Sequence, residues 1–331
     1  MPSRTRDVVV IGCSAGGIDA LTRIVQDLPP DTAASVLVTQ HLARTENPYL
    51  VKLLQRVSRL PVVWAEQGAK IERGKVVVAP PDLHLLVSER HVRLSRGPRE
   101  NLARPSINKL FRSAAAELES RVIGVLLTGM LSDGVAGLLA IRNAGGVTIV
   151  QDPADAAFPE LPGNALLAMQ PDHVLPVHKI GDVLVRLIGR AVEPTTVPMP
   201  VLEEARFDRE ERADIDSLAK LGPQMPIACP DCNGPLWEIG GRGHRRFRCY
   251  LGHSCSAFDL LATNADAVEA ALDSAVRALS ERAITLELLA SDAAELGHEQ
   301  SSETYAAKAR DTQRQVELAR AFLRELSRVN R

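Results

Sequence analysis

Val8-Val9-Val10-Ile11-Gly12-Cys13-Ser14-Ala15-Gly16-Gly17 lies almost at the amino terminus, and its reading decides the fold. The apolar run reads as a buried parallel strand that stops at a glycine-rich turn carrying one hydroxyl. Ile18, Leu21, Ile24, Val25 and Leu28 then recur at helical spacing until Pro29-Pro30 ends the pattern. Ser14 therefore occupies a strand-to-helix turn, where backbone N–H groups and the helix dipole favour negative charge. A bound phosphate and a nucleophilic serine both suit that place.

Outward from this unit, residues 7–190 alternate short apolar runs with amphipathic stretches. Strands are expected at Val8–Gly12, Ser35–Gln40, Pro61–Ala65, Lys75–Ala79, Val122–Thr128, Val147–Val150 and His173–Val177. Helices are expected at 16–28, 47–57, 106–119, 135–143, 163–169 and 180–190. The alternation predicts an α/β class: a doubly wound, mostly parallel sheet with helices on both faces. Segments 75–79, 83–88 and 91–95 are too close for helical crossovers and predict an antiparallel hairpin at one end. An α/β domain over 1–190 is expected to be followed by a linker over 191–227, with Pro194, Pro198 and Pro200 and a charged stretch, Glu203 to Asp216, that reads as a solvated helix. A Cys/His-rich, metal-ribbon-like module over 228–256 comes next, then a helical hairpin or bundle over 257–331.

The chain has 331 residues, a net charge of −2 and five cysteines. That charge gives no electrostatic argument for nucleic acid or a membrane surface. No apolar run approaches the ~20 residues needed to span a bilayer, and no signal-peptide pattern opens the chain. The expectation is a cytoplasmic protein with reduced thiols, whose cysteines serve a metal or catalysis rather than disulfides.

Gly12-Cys13-Ser14-Ala15-Gly16 fits G-x-S-x-G, the pattern of a nucleophile elbow, and loosely a dinucleotide loop. The latter wants G-x-G-x-x-G and an acidic residue after the second strand. Here Ser14 stands in for the middle glycine and the second strand ends in His41. In a parallel sheet, ligands and reactive groups gather beyond the carboxyl ends of the strands. Ser14 follows the first strand and His41 the second. Asp133 follows a third, in Leu127-Thr128-Gly129-Met130-Leu131-Ser132-Asp133-Gly134. Taken singly, Asp133 reads as a helix N-cap and His41 as a structural histidine; together the three read as a hydroxyl–imidazole–carboxylate relay. Oxyanion donors are to be sought in Gly129-Met130-Leu131 and in the helix start after Ser14. The order Ser…His…Asp differs from that of α/β-hydrolases, chymotrypsin-like enzymes and subtilisins. Cys13 reads as a small buried hydrophobe.

Ile11–Gly17, Thr39-Gln40-His41, Arg104-Pro105-Ser106 and Leu127–Gly134 resemble the catalytic domain of the chemotaxis protein-glutamate methylesterases, CheB. Val78–His84 and Phe158–Pro162 agree with its middle and late segments, so the resemblance covers roughly residues 6–190. It implies hydrolysis of γ-glutamyl methyl esters on chemoreceptors with release of methanol, glutamine deamidation as a second activity, and no cofactor for catalysis. By position, Ser14 matches the nucleophile, His41 the base, Asp133 the orienting acid and Met130 the main-chain oxyanion donor. Arg104 is a candidate for binding acidic receptor residues or the product carboxylate; as a solvated arginine at a helix start it would need no such role. Family members usually carry an amino-terminal phosphoacceptor receiver domain, whereas this chain begins at the catalytic strand; phosphorylation in cis is not expected. Ala15 stands where many members have threonine, and Leu131 where glycine is usual, at a position whose φ leucine resists.

Cys229-Pro230-Asp231-Cys232 is a C-x-x-C knuckle, and Cys249 with His253 offers a second ligand pair. The spacing matches a structural zinc ribbon, with Cys255 a competing ligand and His244 a weaker one. The bland reading is a reduced C-x-x-C with the other cysteines buried. Val268, Leu272, Val276, Leu279, Ala283 and Leu286, then Val316, Ala319, Leu323 and Leu326, mark two helix stripes. These stripes pack on each other or dock a partner. The leading reading is thus a cytoplasmic serine esterase acting on a methyl-accepting chemoreceptor or related signalling protein. The alternatives are a non-catalytic regulatory or docking protein that keeps the esterase fold, and a nucleotide-binding protein using the glycine turn.

Overall fold

The computed structural model describes residues 4–42, 49–212, 214–241 and 244–329. The chain divides into two compact units, Met1–Asp259 and Leu260–Arg331. In chain order the first unit holds β1 (Val8–Cys13), α1 (Gly17–Asp27), β2 (Ser35–Gln40), α2 (Tyr49–Val57), β3 (Val62–Trp64), β4 (Lys75–Val78), β5 (His84–Ser88), β6 (His91–Ser95) and α3 (Ile107–Leu118). It continues through β7 (Val122–Leu126), α4 (Val135–Asn143), β8 (Val147–Gln151), α5 (Glu160–Ala168), β9 (His173–Leu175) and α6 (Val177–Leu187). Then come α7 (Met199–Glu210), α8 (Ile215–Leu221), β10 (Gln224–Ala228), β11 (Pro235–Ile239), β12 (Arg246–Cys249) and β13 (Ser254–Ser256). The first two residues of the helix expected over 47–57 lie outside the described residues.

The main sheet has seven strands in the order β3-β4-β2-β1-β7-β8-β9, all pairs parallel. Alternation along β1 feeds two cores. Val8 and Val10 pack with Leu110, Phe111, Leu138 and Ile141 on one face. Val9, Ile11 and Cys13 pack with Leu21, Ile24, Val25 and Leu184 on the other. A strand buried on both faces in this way reads as an unbroken apolar run. The strand order reverses direction at β1/β7, the switch point where carboxyl ends open a crevice. At Gly12 a Cβ would lie 2.1 Å from Ile107 Cγ2, so glycine is what lets the start of α3 approach β1.

The expected hairpin is present as a separate two-stranded ribbon, β5–β6, with His84 opposite Ser95 and Ser88 opposite His91. Segment 75–79, grouped with it from the sequence, instead lies parallel to β2 in the main sheet. Pro80-Pro81 explains the separation, because neither residue has an N–H to extend a ladder. Residues 191–227, read as a linker, include α7 and α8. The stretch Glu203 to Asp216, read as a solvated helix, buries Ala205, Phe207 and Asp208.

The reason is a buried charge network. Arg112 on α3 donates from Nε to Asp208 Oδ2 at 2.7 Å and from Nη1 to Glu204 Oε2 at 3.1 Å, and it also pairs with Glu100. Arg248 on β12 donates to Asp208 Oδ1 at 2.7 Å, and Arg246 pairs with Glu204. Burial pushes the Glu100 carboxyl up, but Arg112, with Arg246 and Arg248, holds it at about 2. Buried lysine is disfavoured as a cation, and Lys109 beside this network is brought down to about 8 by burial.

Strands β10-β11-β12-β13 form an antiparallel four-stranded sheet. Helix α9 spans Ala257–Glu295 and α10 spans Glu299–Val329. Gly297, at φ 75°, makes the turn between them. Within the second unit Ala283, Ala290, Ala293, Ala309 and Val316 are buried between these helices, and Ser302 Oγ donates to the Ala290 carbonyl at 2.8 Å. Leu288, Leu289, Leu318 and Phe322 are exposed. No helix among the described residues is long and apolar enough to cross a membrane.

Candidate active site

The ends of β1, β2 and β7 bring Ser14, His41 and Asp133 together at the switch-point crevice. His41 Nδ1 lies 3.1 Å from Ser14 Oγ, and His41 Nε2 lies 2.8 Å from Asp133 Oδ2. A carboxylate only accepts, so the imidazole donates from Nε2 and Nδ1 is left to accept the serine hydroxyl. His41 is about one-fifth open to solvent (22 %) while the Asp133 side chain is buried (4 %). Solvent thus reaches the imidazole, and the carboxylate is shielded.

Asp133 does not cap the helix that follows it; Gly134 is that N-cap, without a side-chain bond. Its carboxylate instead meets the amino terminus of α3. Oδ2 accepts from the Ile107 N–H at 2.6 Å, and Oδ1 accepts from Ser106 Oγ at 2.9 Å and the Asn108 N–H at 3.3 Å. Helix N-terminal N–H groups stabilise a carboxylate and aim it.

The Ser14 turn is fixed in turn by the Ser14 N–H donating to the Thr128 carbonyl at 3.0 Å and the Gly17 N–H to the Ser14 carbonyl at 2.9 Å. Gly16 sits at φ 71°, and Gly129 comes so close that a Cβ there would lie 2.8 Å from Ser14 Cβ. Beside it, the backbone N–H groups of Ala15, Gly16 and Met130 have no acceptor among the described residues. Leu131 does adopt a left-handed conformation, φ 59°, and its carbonyl accepts from Asn164 Nδ2 at 2.7 Å. That bond helps hold a conformation that leucine alone disfavours.

A cleft of about 390 Å³ opens beside His41, walled by Leu42, Asp82, Arg99, residues 101–104 and Pro105. Arg104 lines it. Its Nε donates to Asp82 Oδ1 at 2.9 Å and its Nη1 to the carbonyls of Arg96 and Gly97 at 2.8 and 3.0 Å. The guanidinium therefore braces the cleft wall with most of its donors.

Several residues that hold the site were not singled out from the sequence. Gln40 Nε2 donates to the Ser14 and His41 carbonyls at 2.8 and 2.9 Å, and its Oε1 accepts from Cys13 Sγ. Burial pushes the Cys13 thiol far up, in keeping with a packing role. Ser106 and Asn164 act through contacts 27 and 33 residues away in sequence. Ser106, placed within the helix expected over 106–119, is instead the N-cap of α3, a position serine often fills.

At the second cluster, Cys229, Cys232, Cys249 and His253 place one donor atom each within 4.8 Å of one another. Cys232 Sγ and Cys249 Sγ are 3.8 Å apart, and Cys249 Sγ is 3.5 Å from His253 Nδ1. Tetrahedral ligands at about 2.3 Å (S) and about 2.05 Å (N) from one ion stand about 3.8 Å (S–S) and about 3.5 Å (S–N) apart, so this donor set can hold a zinc-sized ion. Cys255 and His244 stand outside the group.

A hydroxyl–imidazole–carboxylate chain at the carboxyl edge of a parallel sheet has the form of a serine hydrolase site. The family model described as CheB methylesterase matches residues 9–184. The chain belongs to that family. A Leptospira interrogans (serovar Lai) protein, named as a candidate protein-glutamate methylesterase/protein-glutamine glutaminase, is 37% identical over 182 residues, covering 55% of this chain and 94% of the relative. An Anaeromyxobacter dehalogenans protein-glutamate methylesterase/protein-glutamine glutaminase is 42% identical over 174 residues, covering 53% of this chain and 51% of its own length. The crystal structure of the Thermotoga maritima CheB methylesterase catalytic domain matches with a TM-score of 0.54 and 31% identity, covering 56% of this chain and all of that one.

Proposed function

We propose that the protein is a serine hydrolase that removes methyl esters from glutamate side chains of a chemoreceptor or related signalling protein, with deamidation of receptor glutamines as a second activity. The observation that carries this reading is the unbroken chain Ser14 Oγ, His41 Nδ1, His41 Nε2, Asp133 Oδ2, inside the family-matched segment. Ser14 Oγ attacks the ester carbonyl carbon as His41 Nδ1 takes its proton. The imidazolium so formed is stabilised across Nε2 by Asp133. The Met130 N–H receives the oxyanion, with Ala15 and Gly16 beside it as further donors. His41 returns the proton to the departing methoxide, methanol leaves, and water attacks the acyl-serine by the same relay to give the carboxylate. Arg104 acts by bracing the wall of the substrate cleft. The substrate lies on the cytoplasmic side.

In the same reading Cys229, Cys232, Cys249 and His253 hold a structural zinc and no cofactor takes part in catalysis. Three thiolates and one imidazole are a closed donor set with no open position for substrate. The test is methanol release from a methylated receptor fragment. The wild type is expected to turn over, and Ser14→Ala and His41→Ala to lose roughly 10⁴–10⁶ in kcat. A wild type silent on methylated receptor fragments, with the fold intact, would instead favour a non-catalytic role.

A further inference from the structure

The turn from Gly129 to Gly134 carries both Met130 and Asp133, and most of its anchors come from within the family-matched segment. The Gly129 N–H donates to Phe158, Asn164 donates to Leu131, and Asn108 Oδ1 accepts from the Gly134 N–H at 3.0 Å. The Ser132 hydroxyl is different. It donates to Asp259 Oδ2 at 3.0 Å and lies 2.7 Å from Ser256 Oγ, and both partners lie beyond residue 184.

All three side chains are buried. Asp259 is itself locked, because its N–H donates to Ser256 Oγ at 3.1 Å while its carboxylate accepts from the Ser256 N–H at 3.1 Å. This reciprocal capping box starts α9 and gives Asp259 a fixed place. The same strand reaches the cleft wall on its other side: the Asn101 N–H donates to the Ser254 carbonyl at 2.8 Å, and the Ser256 N–H donates to Asn101 Oδ1 at 3.1 Å. Residues 254–259 therefore touch both the wall beside His41 and the turn after β7. A turn with Leu131 at φ 59° persists only where its surroundings over-determine it.

We propose that Asp259, acting through the Ser132 hydroxyl, is a positioning residue for the esterase, so that β13 and the start of α9 belong to the active-site scaffold. The proposal rests on reading Ser14, His41 and Asp133 as the catalytic relay. Asp133 has its own bonds to α3, so the bond to Ser132 bears mainly on the Met130 side, where charge develops only in the transition state. Loss of such an interaction lowers kcat and leaves KM alone.

The experiment compares full-length wild type, Ser14→Ala, Ser132→Ala, Asp259→Ala and the Ser132→Ala/Asp259→Ala double variant on a methylated receptor fragment. Ser132→Ala removes the bond while sparing the cap of α9. It is expected to lower kcat roughly tenfold, the worth of one net hydrogen bond, with KM within about twofold. The double variant should fall no further than Asp259→Ala, because the two residues act as a unit. Wild-type kcat in Ser132→Ala, or falls that simply multiply, would overturn the proposal while Ser14-dependent turnover stands. Wild-type turnover that does not depend on Ser14 would overturn the relay reading, and this proposal with it.

Discussion

The seven-stranded sheet keeps an apolar core on each face and brings Ser14, His41 and Asp133 together at its carboxyl edge. The β10–β13 sheet buries Leu236, Trp237, Ile239 and Phe247 but also Arg246 and Arg248, and it carries the Cys/His group. Apolar area stabilises the first without directional bonds, which leaves its edge free to place a hydroxyl, an imidazole and a carboxylate for chemistry. The second is too small for a core of that kind, so its order depends on charges and on a donor set suited to a metal. Damage should therefore separate: the edge of the large sheet loses rate without loss of fold, and the small sheet loses fold first.

The largest effect should come from removing metal. Purified protein should carry stoichiometric zinc by elemental analysis. Chelation should withdraw on the order of 10 kcal/mol from the β10–β13 segment, read as loss of amide protection there before the main sheet. Fewer than about 0.2 equivalents in folded, chelator-free protein would break that side of the comparison.

Next in size are the edge substitutions. Asp133→Asn should lower kcat by about 10⁴ through the wrong imidazole tautomer, while the amide NH2 turned on the donors at the start of α3 costs only about 1–3 kcal/mol and leaves the protein folded. A matching loss of stability would show that the carboxylate serves the fold instead.

Glu100→Gln should destabilise the protein by roughly 3–5 kcal/mol in chemical denaturation, because it leaves Arg112 and Arg246 short of a buried partner. The pH dependence sharpens this. The Glu100 carboxyl is lowered from 4.5 to about 2, so its contribution is present above about pH 4.5 and is lost as pH falls toward 2. Glu204 and Asp208 are lowered in the same direction. Stability of the wild type should fall across that window, and Glu100→Gln should flatten the slope.

Much of the large sheet was legible because its strands are buried on both faces and read as unbroken runs such as Val8–Ile11 and Val122–Leu127. Positions just past those runs pointed to Ser14, His41 and Asp133, since a parallel sheet gathers its strand ends on one edge. What the pattern did not carry was the tertiary partner. Glu204 and Asp208 looked solvated because their arginines lie far away in sequence, on α3 and β12. Ser132 and Asp259 are 127 residues apart, and neither gave a local signal of the other. The departure of 84–95 from the main sheet turned on Pro80-Pro81, a local cue outweighed by the short spacing between runs.

The most direct test of the central claim is covalent labelling of the full chain with a fluorophosphonate, followed by peptide mass mapping. An activated Ser14 should be labelled stoichiometrically, with labelling abolished in Ser14→Ala and strongly slowed in His41→Ala. Label at another residue, or a rate at Ser14 indifferent to His41, would contradict the relay.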